Sequence, residues 1–365
     1  MTAKQRSFDS PLFYLTLCLF VAGIIILASS SMPMSYKDSG FLLSYVGHQL
    51  LNGSVAGLGA FFLFQYIPYR FWKKAALPLM ILSFILLALV FIPELSYSYG
   101  GARRWLKIGS ISIQPSEILK ISFIMYLSSW LDSRRKDVAS ISYGMIPFAF
   151  MVVIIGIFLM MQPDMGTLGV ITATACIIYF LGGGRVTQLG MLGVFGLAAG
   201  YVLVHVAPYR LARILVFINP SLDPQGAGYQ INQALIAIGS GGFFGMGLGR
   251  SLQKYYYLPE PMGDSIFAIF AEEAGFLGVV ILLALFGLFL WRGFVIARSC
   301  PDAFGQLLAG GLAAGIAVQA FINMAAISGL LPLTGISLPF VSYGGTSLAV
   351  SLASAGILVN ISKYR

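Results

Sequence analysis

Charge is the scarcest property of this sequence. Of its 365 residues only 22 are Lys or Arg and 13 are Asp or Glu, whereas 58% are hydrophobic. In soluble domains roughly a quarter of the residues are charged, and disordered chains lack apolar residues in this quantity. The composition therefore excludes a soluble globular protein and a disordered chain, and it indicates an integral membrane protein.

Cysteine and histidine are also rare. The three cysteines, Cys18, Cys176 and Cys300, are an odd number, and two of them lie in apolar stretches, so no disulfide framework is expected. The only histidines are His48 and His205, and no Cys/His cluster has metal-site spacing. The sequence thus predicts neither a Cys/His metal centre nor a histidine-activated nucleophile, and it identifies no metal-binding residues.

The sequence contains long stretches without charged residues. Residues 303–362 form a run of 60 without one charged residue, enough for two bilayer-spanning helices of about 20 residues each. We predict an all-α polytopic membrane protein, a single domain over 1–365. Its ten spans lie near 11–31, 48–68, 74–93, 115–132, 143–161, 166–183, 187–207, 264–291, 304–330 and 343–361.

A large extracytoplasmic loop, residues 208–263, is predicted between the seventh and eighth spans. Its apolar piece at 231–238 is too short to cross a bilayer, which indicates a re-entrant or interfacial helix. With the N-terminus inside, the cytoplasmic segments hold 13 basic residues, including Lys4, Arg6 and Arg365, and the outer segments hold 8. This bias predicts that both termini are cytoplasmic. The net charge of +9 then reflects topology, and nucleic-acid binding is not predicted.

Seven of the eight outer basic residues lie in segments 103–107 and 210–254. The usual distribution of Lys and Arg disfavours this placement. Solvated loops explain it as well as an outer-face site for an anionic, lipid-linked substrate does.

Two ionisable residues fall inside the fourth span. Glu117 and Lys120 are three residues apart, so they share a helix face and can pair. Only 11 uncharged residues separate Lys120 from Asp132, so the span must take the pair into the membrane. Ionisable groups there pair or face a wet cavity. An internal ion pair that holds helices together and a substrate-binding pair both remain open.

Two aspartates are predicted at helix starts on the outer side. Asp164 lies in the short link before the sixth span, and Asp264 begins the eighth span, close to Glu260. Capping a helix is the commoner role for either residue alone. A general base, the alternative for Asp264, needs an ionised carboxylate with room for a substrate beside it.

Glycines cluster in two further segments. Residues 226–242, which contain Gln233, end in Gly239-Ser-Gly-Gly242, whose backbone amides can face a phosphate. Residues 338–347 contain Ser342 and Gly344. Close helix packing is the commoner explanation of the glycines in this second segment, and approach of a ligand is the other.

Seven segments together resemble the SEDS family (shape, elongation, division and sporulation), the FtsW/RodA group. They follow the family's order: Gly101-Ala-Arg-Arg-Trp105, Gln114-Pro-Ser-Glu117 with Lys120, Gln162-Pro-Asp-Met-Gly166, Asp223-Pro-Gln-Gly-Ala-Gly-Tyr229, Ala237-Ile-Gly-Ser-Gly-Gly242, Leu258-Pro-Glu260 to Asp264, and Pro339-Phe-Val-Ser-Tyr-Gly-Gly345. One such motif is weak, but seven in order are highly specific. Segments 257–261 and 330–345 look more like the division and sporulation branch than the elongation branch.

The resemblance implies a ten-helix peptidoglycan glycosyltransferase of the bacterial cytoplasmic membrane that uses lipid II. It implies that Asp264 is the essential carboxylate and that Glu117 and Lys120 form a functionally important pair. It also implies a class B penicillin-binding transpeptidase and other division proteins as partners. Many members have a histidine where this chain has Met262, so no role for that histidine is carried over.

On this basis we expect Asp264 to take the proton from the GlcNAc 4-hydroxyl of one lipid II, which attacks the MurNAc anomeric carbon of another with inversion. Basic residues or a divalent cation, Mg²⁺ or Mn²⁺, would stabilise the departing diphosphate. The substrate-binding candidates are Arg103, Arg104, Asp164, Arg210, Arg213, Gln233, Lys254, Glu260, Ser342 and Gly344. The alternatives are a lipid II flippase and a non-catalytic division scaffold.

Overall fold

The computed structural model describes residues 7–99, 102–109, 111–206, 208–223 and 226–364. Lys4, Arg6 and Arg365, which entered the topology argument, lie outside these ranges, as do Gly101, Pro224 and Gln225 of the family motifs. The described chain is mostly helical. Its α-helices are α1 (Ser10–Ser39), α2 (Ser44–His48), α3 (Val55–Phe64), α4 (Arg70–Leu89), α5 (Pro115–Ser133), α6 (Ile146–Met161), α7 (Met165–Leu181), α8 (Val186–Val206), α9 (Pro208–Ile218), α10 (Ala227–Ser240), α11 (Ile266–Ser299), α12 (Ala303–Ile327) and α13 (Gly345–Ser362).

Seven helices in the described ranges are long and apolar enough to cross a membrane, and they make this a polytopic membrane protein. They are α1, α4, α6 with the π-helical turn Ile141–Met145 before it, α8, α11, α12 and α13. The other three predicted spans also coincide with helical segments. A π-helical turn, Gln49–Ser54, interrupts the first of these between α2 and α3, α5 carries the Glu117–Lys120 pair, and α7 has only 17 residues.

The centre of the bundle is formed by α12 and α13. In their most apolar windows 72% and 78% of residues are buried, whereas none is buried in the corresponding window of α8. Helix α12 packs against α5, α7 and α11, and α13 packs against α3. Residues of α12 can therefore contact, from within the bundle, a site that forms at the ends of these helices.

A small sheet corrects the all-α prediction. Strands β1 (Ser96–Tyr99), β2 (Ala102–Ile108) and β3 (Ile111–Ile113) form an antiparallel sheet in the order β1-β2-β3. In its register, Tyr97 faces Trp105 and Lys107 faces Ser112. In β1 and β3 polar and aromatic or aliphatic residues alternate with the period of two that a strand requires, whereas β2 does not follow this alternation throughout. The segment is too short and too polar to be detected as an apolar span in the sequence.

Between α8 and α11 the chain forms α9, a 3-10 turn at Pro220–Leu222, and α10, followed by turns up to Ser265. Helix α10 covers the apolar piece at 231–238. Helix α11 begins at Ile266 and extends to Ser299, but Gly275 interrupts it with a non-helical backbone (φ 65°, ψ −168°). The eighth predicted span is therefore longer than expected and is broken near its start.

Candidate functional site around Asp264

Asp264 lies in the turn immediately before α11. The N-cap residue of this helix is Ser265, and it makes no side-chain capping bond. Its side-chain hydrogen-bond partners among the described residues are at long range: Gln230 Nε2 lies 3.4 Å from Oδ1 and 3.5 Å from Oδ2, and Ser265 Oγ lies 3.4 Å from Oδ1. The side chain also remains partly accessible. The carboxylate is therefore not consumed by helix capping, the commoner role considered for it.

Two further elements form the wall beside Asp264. Asn323 of α12 donates from Nδ2 to the Asp264 carbonyl (2.9 Å) and to the Ile336 carbonyl (2.7 Å). A Cβ atom on Gly335 would lie 3.8 Å from Asp264 Oδ2. Sequence reasoning missed Gln230, Asn323 and Gly335. Gln230 precedes the predicted Gln233 by less than one helical turn, and Asn323 is a polar residue within an apolar span, which is the only signal that either offers.

The protein environment raises the pKa of Asp264 from 3.8 to about 6. Burial is the largest cause, because water that would stabilise the ionised carboxylate is displaced, and the negative charge of Glu260 is the second. Hydrogen bonds from Gln230 and Ser265 act in the opposite direction. A carboxyl with this pKa is mostly ionised at neutral pH and binds a proton far more readily than an ordinary aspartate does.

Glu260 is exposed at the start of this turn. Its carbonyl accepts the backbone N–H groups of Gly263 (3.0 Å) and Ser265 (3.3 Å). Its own backbone has a φ of 50°, a left-handed conformation uncommon outside glycine and Asn or Asp. The tight turn brings its carboxylate close to Asp264, which is why its charge affects the pKa of that residue.

Ser342 and Gly344, both predicted to bind substrate, make structural hydrogen bonds in the segment before α13. Ser342 Oγ donates to the Gly263 carbonyl (2.7 Å) and accepts the Leu338 N–H (2.8 Å). The Gly344 N–H donates to Gln49 Oε1 (3.1 Å). Ser342 thus ties the segment before α13 to the backbone next to Asp264, and Gly344 ties it to the π-helical turn that contains Gln49.

Glu117 and Lys120 form the predicted pair, with Lys120 Nζ 2.8 Å from Glu117 Oε1 and both side chains largely buried. Lys120 also donates to Gln319 Oε1. In turn Gln319 Nε2 donates to the Ser337 carbonyl (2.9 Å). The pair and Asp264 therefore adjoin the same short segment, 335–337, although they lie far apart in sequence.

A cavity of about 40 Å³ lies beside this pair, between α5, α7, α12 and α13. Glu117, Lys120, Thr174 and Gln319 contribute polar groups to its lining. Among the described residues, Thr174 Oγ1 has no hydrogen-bond partner although it is buried. A cavity of this size and polarity can hold an ordered water molecule, as expected for a charge pair within a membrane protein.

Arg104 and Asp164 hold a turn together. Asp164 Oδ1 accepts the Thr167 N–H at the start of α7 (3.3 Å) and lies 3.8 Å from Arg104 Nη1. Arg104 also donates to the carbonyls of Gln162 (3.2 Å) and Pro163. Asp164 is thus a helix cap, and Arg104 fastens β2 to the loop before α7.

The remaining basic candidates differ in their surroundings. Arg213 is exposed, and its Nη1 donates to the Leu333 carbonyl (3.3 Å), two residues before Gly335. Arg210 donates to the Leu203 carbonyl of α8 (3.0 Å), and Arg103 is exposed on β2. Gln233 is partly buried on α10. Among the described basic candidates, Arg213 thus contacts the chain two residues before Gly335, which lies beside Asp264.

Lys254 is buried, and its ammonium is held by other protein groups. It lies 2.8 Å from Glu273 Oε1 and 3.2 Å from the Ser29 carbonyl, and its side chain has no exposed surface. A group in this position has no face left for a diphosphate in the described conformation. No three His, Cys, Asp or Glu side chains lie together as a metal site within the ranges that the structure describes.

Fold and site together define a polytopic membrane protein with a carboxylate-centred polar site at one end of its helix bundle. The chain belongs to the cell cycle protein family of FtsW, RodA and SpoVE, whose profile matches residues 10–365. The resemblance inferred from the seven motifs is thereby confirmed.

Relatives of known name extend over nearly the whole chain. Stage V sporulation protein E of Bacillus subtilis is 42% identical over 100% of this chain and 99% of its own length. The probable peptidoglycan glycosyltransferase FtsW of Trichlorobacter lovleyi is 39% identical over 98% of this chain and 94% of its own length.

Solved structures show the same fold. The rod shape determining protein RodA of Thermus thermophilus is 29% identical, with a TM-score of 0.69 over 98% of both chains. A chain from a peptidoglycan synthase complex that coordinates polymerization and crosslinking is 28% identical, with a TM-score of 0.80 over 97% of both chains.

Proposed function

We propose that this chain is a peptidoglycan glycosyltransferase that polymerises lipid II into β-1,4 glycan strands, with Asp264 as the general base. The observation that carries the proposal is the state of this carboxylate. It is partly accessible, it is free of a capping role, and burial raises its pKa to about 6. A general base works best when its pKa lies near the working pH. The name of the FtsW relative supplies the reaction class.

The reaction needs one base and no enzyme nucleophile. Ionised Asp264 accepts the proton of the acceptor's 4-hydroxyl as that oxygen attacks the anomeric carbon of the donor sugar. The hydroxyl attacks on the face opposite the diphosphate as the bond from that carbon to the diphosphate breaks, so this single displacement inverts the anomeric configuration. Gln230 and Ser265 orient the carboxylate through their contacts, and Asn323 holds its backbone in place.

The diphosphate leaving group requires positive charge. Arg213 is the strongest candidate, because it is exposed and contacts the segment that adjoins Asp264. Mg²⁺ commonly binds through one or two carboxylates together with substrate phosphates. A divalent cation, Mg²⁺ or Mn²⁺, would therefore enter with the substrate, and we assign it no step.

We further propose the placement in the cell. Ten crossings of the bacterial cytoplasmic membrane, with both termini cytoplasmic and residues 208–263 outside, would bring Asp264 to the outer face. Septal wall synthesis is the role that we favour, with a class B penicillin-binding transpeptidase and other division proteins as partners. The related chain from a peptidoglycan synthase complex supports such a partnership.

Purified chain, alone and with its transpeptidase partner, should be incubated with labelled lipid II. We expect glycan strands, and an Asp264→Asn variant should lose about 100-fold to 10,000-fold of the rate, as is typical when a general base is removed. Asp38→Asn is the matched control, because Asp38 is an exposed aspartate that bonds to Tyr45 (2.6 Å).

The same experiment separates the alternatives. Translocation of lipid II across vesicles without strand formation would identify a flippase, and absence of both activities would favour a scaffold. A folded Asp264→Asn protein that polymerises normally would contradict the assignment of the base.

A further inference from the structure

A buried charge cluster joins three parts of the chain that are distant in sequence. Lys254 Nζ lies 2.8 Å from Glu273 Oε1 and 3.4 Å from Ser29 Oγ. Ser29, on α1, donates to Glu273 Oε2 (2.5 Å) and accepts the Gly249 N–H (3.0 Å). Lys254, Glu273 and Ser29 are all at most 5% exposed. We call these three residues the Lys254 cluster.

The adjacent Glu272 binds the same turn from its other side. Its carboxylate accepts the N–H groups of Leu252 (3.1 Å) and Gln253 (3.3 Å) and the hydroxyl of Ser251. The side-chain oxygens of Glu272 are thus paired with backbone and hydroxyl donors of this turn. Isolated buried charge is costly, so this arrangement persists only if the turn at 251–254 stays in place.

The cluster lies where α11 is broken. At Gly275 the helix loses its regular hydrogen bonds, and the glycine-rich segment 242–247 replaces them. The carbonyls of Glu272 and Glu273 accept the N–H groups of Met246 (3.0 Å) and Gly247 (3.0 Å), while Phe276 donates to the Gly242 carbonyl (2.9 Å). Residues 266–274 thus form a short separate helix, and its position depends on the segment packed against the break.

Asp264 lies in the middle of the segment that the cluster closes. Lys254 precedes it by 10 residues and Glu273 follows it by 9. The Leu258 N–H donates to the carbonyl of Gln253, just before Lys254 (3.0 Å), and within the segment the Gly263 N–H donates to the Glu260 carbonyl (3.0 Å). An ion pair that joins the two ends of a segment restricts the conformations open to its middle.

We propose that Lys254 is a positioning residue for Asp264 and not a ligand of the substrate's diphosphate. Through its ion pair with Glu273 and its contacts with Ser29, it holds the 254–273 segment against α1 and so places the Asp264 carboxylate. This inference rests on the proposed function for its catalytic consequence. Its structural consequence, the order of the turn around Asp264, is independent of that function.

Lys254→Met removes the ammonium and keeps an apolar side chain of similar length. Three backbone amides report on the turn by hydrogen exchange: those of Gly263 and Ser265, which donate to the Glu260 carbonyl, and that of Tyr343, which donates to the Met262 carbonyl. We expect faster exchange at all three. We also expect kcat for lipid II to fall by about 100-fold, the cost of a small misplacement of a catalytic group, with KM changed by less than about twofold.

Arg250→Met is the matched control, because Arg250 is an exposed basic residue four positions upstream. It should leave exchange and kcat unchanged. Ser29→Ala, which deletes one hydroxyl of the cluster, should show the same effects in weaker form, and it carries the test if Lys254→Met does not fold.

The outcomes separate the two proposals. A higher KM with unchanged exchange and kcat would show that Lys254 is an anion ligand and would overturn the positioning role. Faster exchange with normal polymerisation would also overturn the positioning role. Faster exchange in a chain whose wild type makes no glycan would support the positioning role while the proposed function fails. Unchanged exchange in folded Lys254→Met would refute positioning whatever the activity.

Discussion

Replacing Glu260 by Gln tests whether the pKa of Asp264 governs polymerisation. Burial and the charge of Glu260, in that order, raise this pKa from 3.8 to about 6. A general base acts only in its ionised form. With a pKa of about 6, about a tenth of the Asp264 side chains are ionised at pH 5 and about nine tenths at pH 7, whereas a carboxyl with the ordinary pKa would be more than about nine tenths ionised at both.

The wild-type rate should therefore fall about tenfold between pH 7 and pH 5. Glu260→Gln removes the second cause of the raised pKa and leaves the first, so the pKa of Asp264 should fall without reaching 3.8. The rate at pH 5, relative to that at pH 7, should rise. The assay is the initial rate of strand formation from labelled lipid II across this pH range, measured at substrate concentrations well below KM, where the rate reports the pKa of the free enzyme.

Glu94→Gln is the matched control, because it removes the same charge from an exposed residue that is not among the causes of the Asp264 shift. A wild-type rate that is flat between pH 5 and pH 7 would refute the assignment of Asp264 as a base with a raised pKa. If Glu260→Gln moves the fall in rate at acidic pH to higher pH, the electrostatic explanation of the raised Asp264 pKa is refuted.

Three further predictions concern stability, measured by thermal unfolding of the purified protein. Because the folded state raises the pKa of Asp264, it disfavours the ionised form. Asp264→Asn should therefore stabilise the protein by up to about 3 kcal/mol at pH 7 and by almost nothing below about pH 3, where Asp264 is protonated in both the folded and the unfolded state; equal gains at both pH values would contradict this. Lys120→Met leaves Glu117 buried without its partner and should lower the free energy of unfolding by about 3–5 kcal/mol. The double variant Glu117→Gln with Lys120→Met should recover most of that loss. Recovered stability without recovered polymerisation would assign the pair a functional role. Gly245 and Gly249 have nearly equal φ (81° and 83°), but a Cβ at the first would lie 2.1 Å from a backbone carbonyl and at the second would meet nothing within 4 Å. Gly245→Ala should therefore cost about 1–3 kcal/mol more than Gly249→Ala, and equal losses would show that the segment at the break in α11 yields without cost.

The membrane class, the family and the approximate positions of the long apolar helices could be predicted from the sequence, because each depends on local information. Runs without charge locate apolar helices, and seven motifs in order identify a family. The partnership of Glu117 with Lys120 was also accessible, since a spacing of three residues places both on one helix face. The sheet at 96–113 could not be predicted, because short strands give a weak sequence signal beside long apolar helices.

Tertiary structure decided which polar residues meet. The sequence left open whether Lys254 and Arg104 bind an anion, and it did not reveal their protein partners: Lys254 is buried against Glu273, and Arg104 donates to the loop before α7. Gln230, Asn323 and Gly335 come to Asp264 from three separate elements. Composition and periodicity report what a residue is and which face of its own helix it occupies. Its partner across the bundle, and hence its role, depends on long-range packing that no local pattern encodes.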